Sequence, residues 1–244
     1  MTETLPLPAA PALPRRLALL TLGSFALLPV AGCGVFPRVN EPLDLYTLTP
    51  KTTFQEPPPK VGWQLIVEEP VAAAGIDTAR IALSHNPYQI EYFAKAAWID
   101  NAPAMIQTLL IDSFQNTGSI VGVGRESIGL RADYLLKTDL REFQAFYNGN
   151  DPIAEVWVKI IAQVVKLPER RIIASMTAQR RSKAAGPKFT DVIDAFDDAL
   201  GHVIKAIVLF TLEAPAKAVA ENGANDAMPA MPATQSTPGA APTP

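Results

Sequence analysis

Residues 132–178 hold three consecutive runs in which apolar and polar side chains alternate, and no other feature narrows the fold as much. Along Ala132 to Leu140, Tyr134, Leu136 and Leu140 alternate with Asp133, Lys137, Asp139 and Arg141. Val156, Val158, Ile160, Ala162 and Val164 follow at the same two-residue period, and then Ile172, Ala174, Met176 and Ala178. Successive side chains of a strand point to opposite faces, so each run predicts a strand with one buried and one wetted face. The connections, Gly149-Asn150-Asp151-Pro152 and Leu167-Pro168-Glu169-Arg170, are hairpin-like, and three antiparallel strands in a row are expected. Phe143, Ala145 and Tyr147 continue the apolar series of the first run only if its phase flips, which predicts a bulge or sharp twist near Arg141–Glu142.

Further elements flank this core. Trp63 to Glu68, Ala79 to Ser84 and Tyr88 to Ala94 read as strands, with Asn86-Pro87 as a turn between the last two. A helix is expected after Asp100 or Asn101 as cap, with Pro103 in its first turn, Ile106, Leu109, Leu110 and Phe114 on one face, and Gly118 at its end. A short strand near Ile120–Val123 follows. A long helix from about Thr190 carries Val192, Ile193, Phe196, Leu200, Val203, Ile204 and Ile207 at helical spacing. Asp191, Asp194, Asp197 and Asp198 crowd its first turns, where the helix dipole favours negative charge. Val203 to Leu212 is apolar, but His202, Lys205 and the short length argue for burial against the sheet. The predicted fold is α+β: one compact domain, residues 61–213, whose mixed sheet ends in three antiparallel strands packed against two helices. From Ala214 to Pro244, Ala, Pro, Asn and Gly dominate, and a disordered tail is expected.

The amino-terminal end reads differently. Arg15 and Arg16 precede an apolar run, Leu17 to Val30, which exits through Ala31 and Gly32 into Cys33, the only cysteine of the chain. A basic pair, an apolar core and small residues at its exit describe a secretory signal peptide, here residues 1–32. The run is too short, and too broken by Pro29 and Gly32, for a membrane span of about 20 residues. Val30-Ala31-Gly32-Cys33 resembles the bacterial lipobox. That resemblance implies recognition of Val30, Ala31 and Gly32 by the signal peptidase, cleavage before Cys33, and a diacylglyceryl group and an N-acyl chain on Cys33. Residues 33–60 would then be a tether holding one short strand, Asp44 to Thr49, and a proline-rich spacer, Gln55 to Lys60. Gly34 follows the cysteine where enteric sorting uses aspartate for inner-membrane retention, which favours the outer membrane.

Chemistry is sparse. The formal net charge of −3 argues against nucleic acid, which calls for a basic face. With Cys33 acylated, no thiol remains for a disulfide, a zinc site or a nucleophile. His85 and His202 stand far apart without metal-ligand spacing and are read as surface or packing residues. Gly122-Val123-Gly124 lacks the third glycine of a dinucleotide fingerprint and is read as a loop. Asp197-Asp198 is read as a solvated helix face. Arg170, Arg171, Arg180, Arg181 and Lys183 form a basic cluster at the ends of the last strand, either solvated or turned to anionic lipid or a partner. Trp63, Trp98 and Trp157 are read as core or sheet-surface residues, with Trp98 and Trp157 as candidate interface anchors in the alternative. No catalytic residue, cofactor site or metal site is assigned, and the chain is read as a non-enzyme.

The order of several segments resembles the ABC-type transport auxiliary lipoprotein family, the lipoprotein partner of Mce (mammalian cell entry) lipid-transport systems. The segments are Leu45-Tyr46-Thr47-Leu48, Ile76 to Ile81, Ala97 to Pro103 with Leu109-Leu110, Ala132 to Leu136 leading to Phe143, and Ala195-Phe196-Asp197 onward. The resemblance implies a lipid-anchored periplasmic protein that works by binding an Mce-domain protein, and through it a permease and an ATPase, in moving phospholipid or other hydrophobic cargo between membranes. It brings no catalytic residues. A homo-oligomer is compatible with it. The rival readings are an outer-membrane assembly or scaffold lipoprotein and, more remotely, an envelope hydrolase.

Overall fold

In a computed structural model, the described residues are 42–126, 129 and 131–226, with the side chains of 221–226 left aside. The predicted leader, Val30 to Cys33 and the end of the chain lie outside them. The elements run β1 (Asp44–Tyr46), β2 (Val61–Val67), β3 (Val71–Ala72), β4 (Arg80–Asn86), β5 (Gln89–Trp98), α1 (Ala102–Thr117), β6 (Ile120–Gly124), β7 (Tyr134–Phe146), β8 (Glu155–Lys166), β9 (Arg171–Lys183) and α2 (Phe189–Asp226). This is the expected mixed α+β domain.

The sheet is organised around β7. Along one edge β8 pairs with it antiparallel over its whole length, and β9 pairs antiparallel with β8. Along the other edge β2, β3 and β4 pair with it in turn, all parallel. Pro70, which has no N–H for a ladder, separates β2 from β3. β4 and β5 form an antiparallel hairpin, β1 lies parallel to β5, and β6 parallel to β2. The predicted bulge falls between Leu140 and Glu142, so Arg141 is the residue without a partner on β8.

Both helices cover one face. Leu136, Leu140, Phe143 and Ala145 of β7 and the whole Val156–Val164 series of β8 are buried there against Ile106, Leu110 and Phe114 of α1 and Val192, Phe196, Leu200 and Ile204 of α2. Asn101 occupies the cap position of α1 without a side-chain cap bond, and Gly118 closes it in the left-handed conformation at φ 61°, which glycine adopts at no steric cost. Three rings from three elements meet at the centre: Trp98 of β5, Phe143 of β7 and Phe196 of α2, with centroids 5.1–5.4 Å apart.

Four expectations need correction. α2 does not end near residue 213 but runs to Asp226 through Pro215, so the expected tail begins as helix. The strand expected over Asp44 to Thr49 ends at Tyr46, and the stretch from there through the expected spacer, Gln55 to Lys60, is docked on the domain. Leu48 and Pro58 are buried, Thr49 N–H donates to Asp197 at 2.7 Å, Lys51 N–H donates to Ser113 Oγ at 2.9 Å, and the Ser119 hydroxyl donates to the Pro58 carbonyl at 3.1 Å. The face of β9 shifts at a register break opposite Val164/Val165, which leaves Ile172 51% exposed and packs Ile173 against the core instead. Gly122, Val123 and Gly124 belong to strand β6, not to a loop.

Candidate functional site

The two histidines are placed at the surface, as read. His85 stacks on Tyr147 with Glu91 at 3.6 Å, and His202 sits one helical turn from Asp198 at 3.3 Å. Among the described residues, no group of His, Cys, Asp and Glu could hold a metal ion, and no helix is long and apolar enough to cross a membrane. Asp197 and Asp198, read as solvated, make specific bonds: Asp197 accepts from the backbone and hydroxyl of Thr49, and Asp198 accepts from Ser182 Oγ at 2.8 Å. They tie the segment after β1 and the end of β9 to α2. Trp98 is 2% exposed, in agreement with its reading as core, and the alternative of an interface anchor falls away.

One concavity lies on the other side of the sheet, against which no helix packs among the described residues. The extra residue at the β7 bulge turns two consecutive charged side chains, Arg141 and Glu142, to that face. The β4–β5 hairpin tip, with Pro87 and Ile90, curls over them. Together with Gln144, Phe146, Trp157 and Arg181 they enclose a hollow of about 480 Å³. Its floor is organised by pairs. Arg181 lies 4.2 Å over the Trp157 ring and 2.8 Å from Glu155, a cation held between an aromatic face and a carboxylate. Arg141 pairs with Asp139 at 2.5 Å, and Gln144 Nε2 donates to Glu142 at 3.0 Å. A second hollow of about 470 Å³ lies against Trp157, Gln179, Arg180 and Arg181, on the last strand. The predicted basic cluster is thus only partly gathered: Arg181 and Lys183 are engaged by Glu155 and Asp151, while Arg170 and Arg171 stand at the opposite end of β9.

Burial holds the Glu142 carboxyl above its ordinary value of 4.5, against the hydrogen bond from Gln144 and the charges of Lys159 and Arg181. The ionised form is therefore less favourable in the folded protein than in the unfolded chain. The native state binds more protons as pH rises from that ordinary value through the folded one, so stability falls across that window and the deficit persists above it. Glu142→Gln removes the ionisable group. The variant is expected to unfold at higher urea than the parent near about pH 7, with the difference vanishing near about pH 4. Equal midpoints at both pH values would mean that the site is wet. Sequence reading located the bulge that aims Glu142 but not the hollow, because its walls come from β4, β5, β7, β8 and β9.

The family model described as the ABC-type transport auxiliary lipoprotein component matches residues 46–208, more than half of the chain. An uncharacterised protein of Bradyrhizobium diazoefficiens is 29% identical over 151 residues, which cover 61% of this chain and 39% of that protein. The fold is similar to the crystal structure of protein XCC0632 from Xanthomonas campestris, of family DUF330, with a TM-score of 0.68 and 28% identity over 72% of this chain and 99% of the other. A second solved structure, of an uncharacterised protein, shares the fold at TM-score 0.53 and 12% identity, covering 69% of this chain and 97% of that one.

Proposed function

The chain belongs to the ABC-type transport auxiliary lipoprotein family, and from that premise we propose that it is the lipid-anchored docking component of an Mce-type transporter. In this reading Cys33 carries the acyl chains, the domain faces the periplasm, and it binds an Mce-domain protein that works with a permease and an ATPase. The cargo class is phospholipid or another hydrophobic molecule, and the contribution is binding rather than catalysis. The observation that carries the reading is the family match together with Val30-Ala31-Gly32-Cys33 just ahead of it.

The docked 47–60 segment sharpens the anchor. Ten residues separate Cys33 from Asp44, the first residue of β1, and ten residues span at most about 35 Å at the usual reach per residue. The domain then works close to the membrane that holds it, and Gly34 after the cysteine favours the outer one.

Affinity purification of the intact lipoprotein from membranes tests this. An Mce-domain protein, with its permease and ATPase, is the expected companion. Recovery of a β-barrel protein in their place would favour the scaffold reading and overturn this one.

A further inference from the structure

β9 is where the sheet stops. It pairs with β8 along one edge, and among the described residues no other element bonds to the opposite edge. That edge is 13 residues long, and from Ala174 to Lys183 its register with β8 is unbroken. Open edges of this length are templates for another strand, and proteins normally shorten, kink or cover them.

The side chains on β9 say what kind of strand fits. Arg171, Arg180, Arg181 and Lys183 are its charged residues, and no acid lies between Arg171 and Lys183. Arg181 and Lys183 lean back onto Glu155 and Asp151, whereas Arg171 and Arg180 form no salt bridge among the described residues, although the charge of Arg171 acts on the exposed Glu169. The hollow at Gln179, Arg180 and Arg181 lies along this strand, with Trp157 at its base. A second β9 would fit poorly, since antiparallel self-pairing sets the arginine end of one strand against the cationic end of the other. A bilayer would find only Ile172 as a large exposed apolar side chain on the strand.

We propose that the free edge of β9 receives an extended acidic segment of a partner protein as an added strand. Backbone bonds supply the pairing, Arg171 and Arg180 select acidic side chains at the two ends, and the hollow beside Trp157 accepts one side chain of the incoming strand. The same charges that keep β9 from pairing with its own kind draw in a strand of opposite sign. This rests on the docking role proposed above and gives it a surface.

The test uses the full chain purified in detergent and three synthetic peptides of the length of β9: alternating Val and Glu, alternating Val and Lys, and alternating Pro and Glu. The Val/Glu peptide is expected to bind at least about ten-fold more tightly than either of the others and to slow amide hydrogen exchange along β9. Combining Arg171→Glu with Arg180→Glu is expected to weaken that binding about ten-fold or more at low salt, with an unchanged circular dichroism spectrum. Equal binding of the Pro/Glu peptide would show charge attraction without strand addition, and would overturn the proposal. So would an absence of Val/Glu binding, protection located elsewhere in the sheet, or β9 amides already protected in a peptide-free oligomer and exposed when it dissociates, which would mean that a second copy covers the edge. If the double variant still co-purifies with the transporter proteins, the docking role stands and this edge is not its surface.

Discussion

Truncating Phe196 to alanine is expected to lower the free energy of unfolding by about 3–5 kcal/mol, the range for removing a large aromatic from a packed core. Phe196 is fully buried, and its ring meets Trp98 at 5.2 Å and 82° and Phe143 at 5.1 Å and 63°. Those partners sit on β5 and β7, so one side chain joins α2 to both halves of the sheet. The rings are edge-on, a geometry that adds roughly 0.5–1.5 kcal/mol per pair beyond the area buried. Neither neighbour can swing into the void, because Trp98 and Phe143 are themselves 2% exposed and held in strands. Domains are stable by only about 5–15 kcal/mol, so this change removes a large fraction of the total. Urea unfolding would show the loss as a lower midpoint with an unchanged slope. Phe196→Leu, which keeps most of the volume, should lose distinctly less. A loss under about 1 kcal/mol for the alanine variant would mean that α2 is held elsewhere.

Where sequence and structure agree, the signal was local and repeated. The Val156–Val164 alternation is buried throughout, and the phase break after Leu140 is a bulge because no regular strand can hold both Leu140 and Phe143 on one face. Disagreements arise where a distant part of the chain decides. Ile172 is displaced from its series by a register break against β8, which its own spacing cannot reveal. Residues 55–60 look like a spacer by composition, yet the buried hydroxyl of Ser119 bonds the Pro58 carbonyl. β3 is two residues long and exists only because β7 offers it an edge.

α2 shows the limit of composition most clearly. From Ala214 the sequence has few large apolar residues, but alanine is the best helix former, and Lys217 bonds Glu213 one turn back at 2.7 Å. Thr211, Leu212 and Ala214 are buried, so the helix is anchored on the domain up to Pro215 and continues past it. The candidate site was legible in pieces. Arg181, Trp157 and the Arg141–Glu142 bulge were each visible in the sequence, but their convergence depends on pairings across three strands.

Replacing Cys33 with alanine is expected to release the protein from membranes and to compromise the transport system while leaving the domain folded. Each buried methylene contributes roughly 0.8 kcal/mol, and two or more acyl chains together hold a protein at a bilayer almost permanently, whereas one chain binds only marginally. Among the described residues no helix is long and apolar enough to cross a membrane. Position 33 also lies ahead of β1, outside the core built by residues 48–214, so the substitution should leave the unfolding midpoint of the domain unchanged. That separates it from Phe196→Ala, which damages the fold and leaves the anchor alone. Fractionation, with mass spectrometry of the mature amino terminus, reads the outcome: the parent should start at Cys33 and carry acyl mass, and the variant should appear in the soluble fraction. A Cys33→Ala protein that still pellets with membranes and fully complements transport would show that contact with the partner complex, rather than lipid, holds the domain in place.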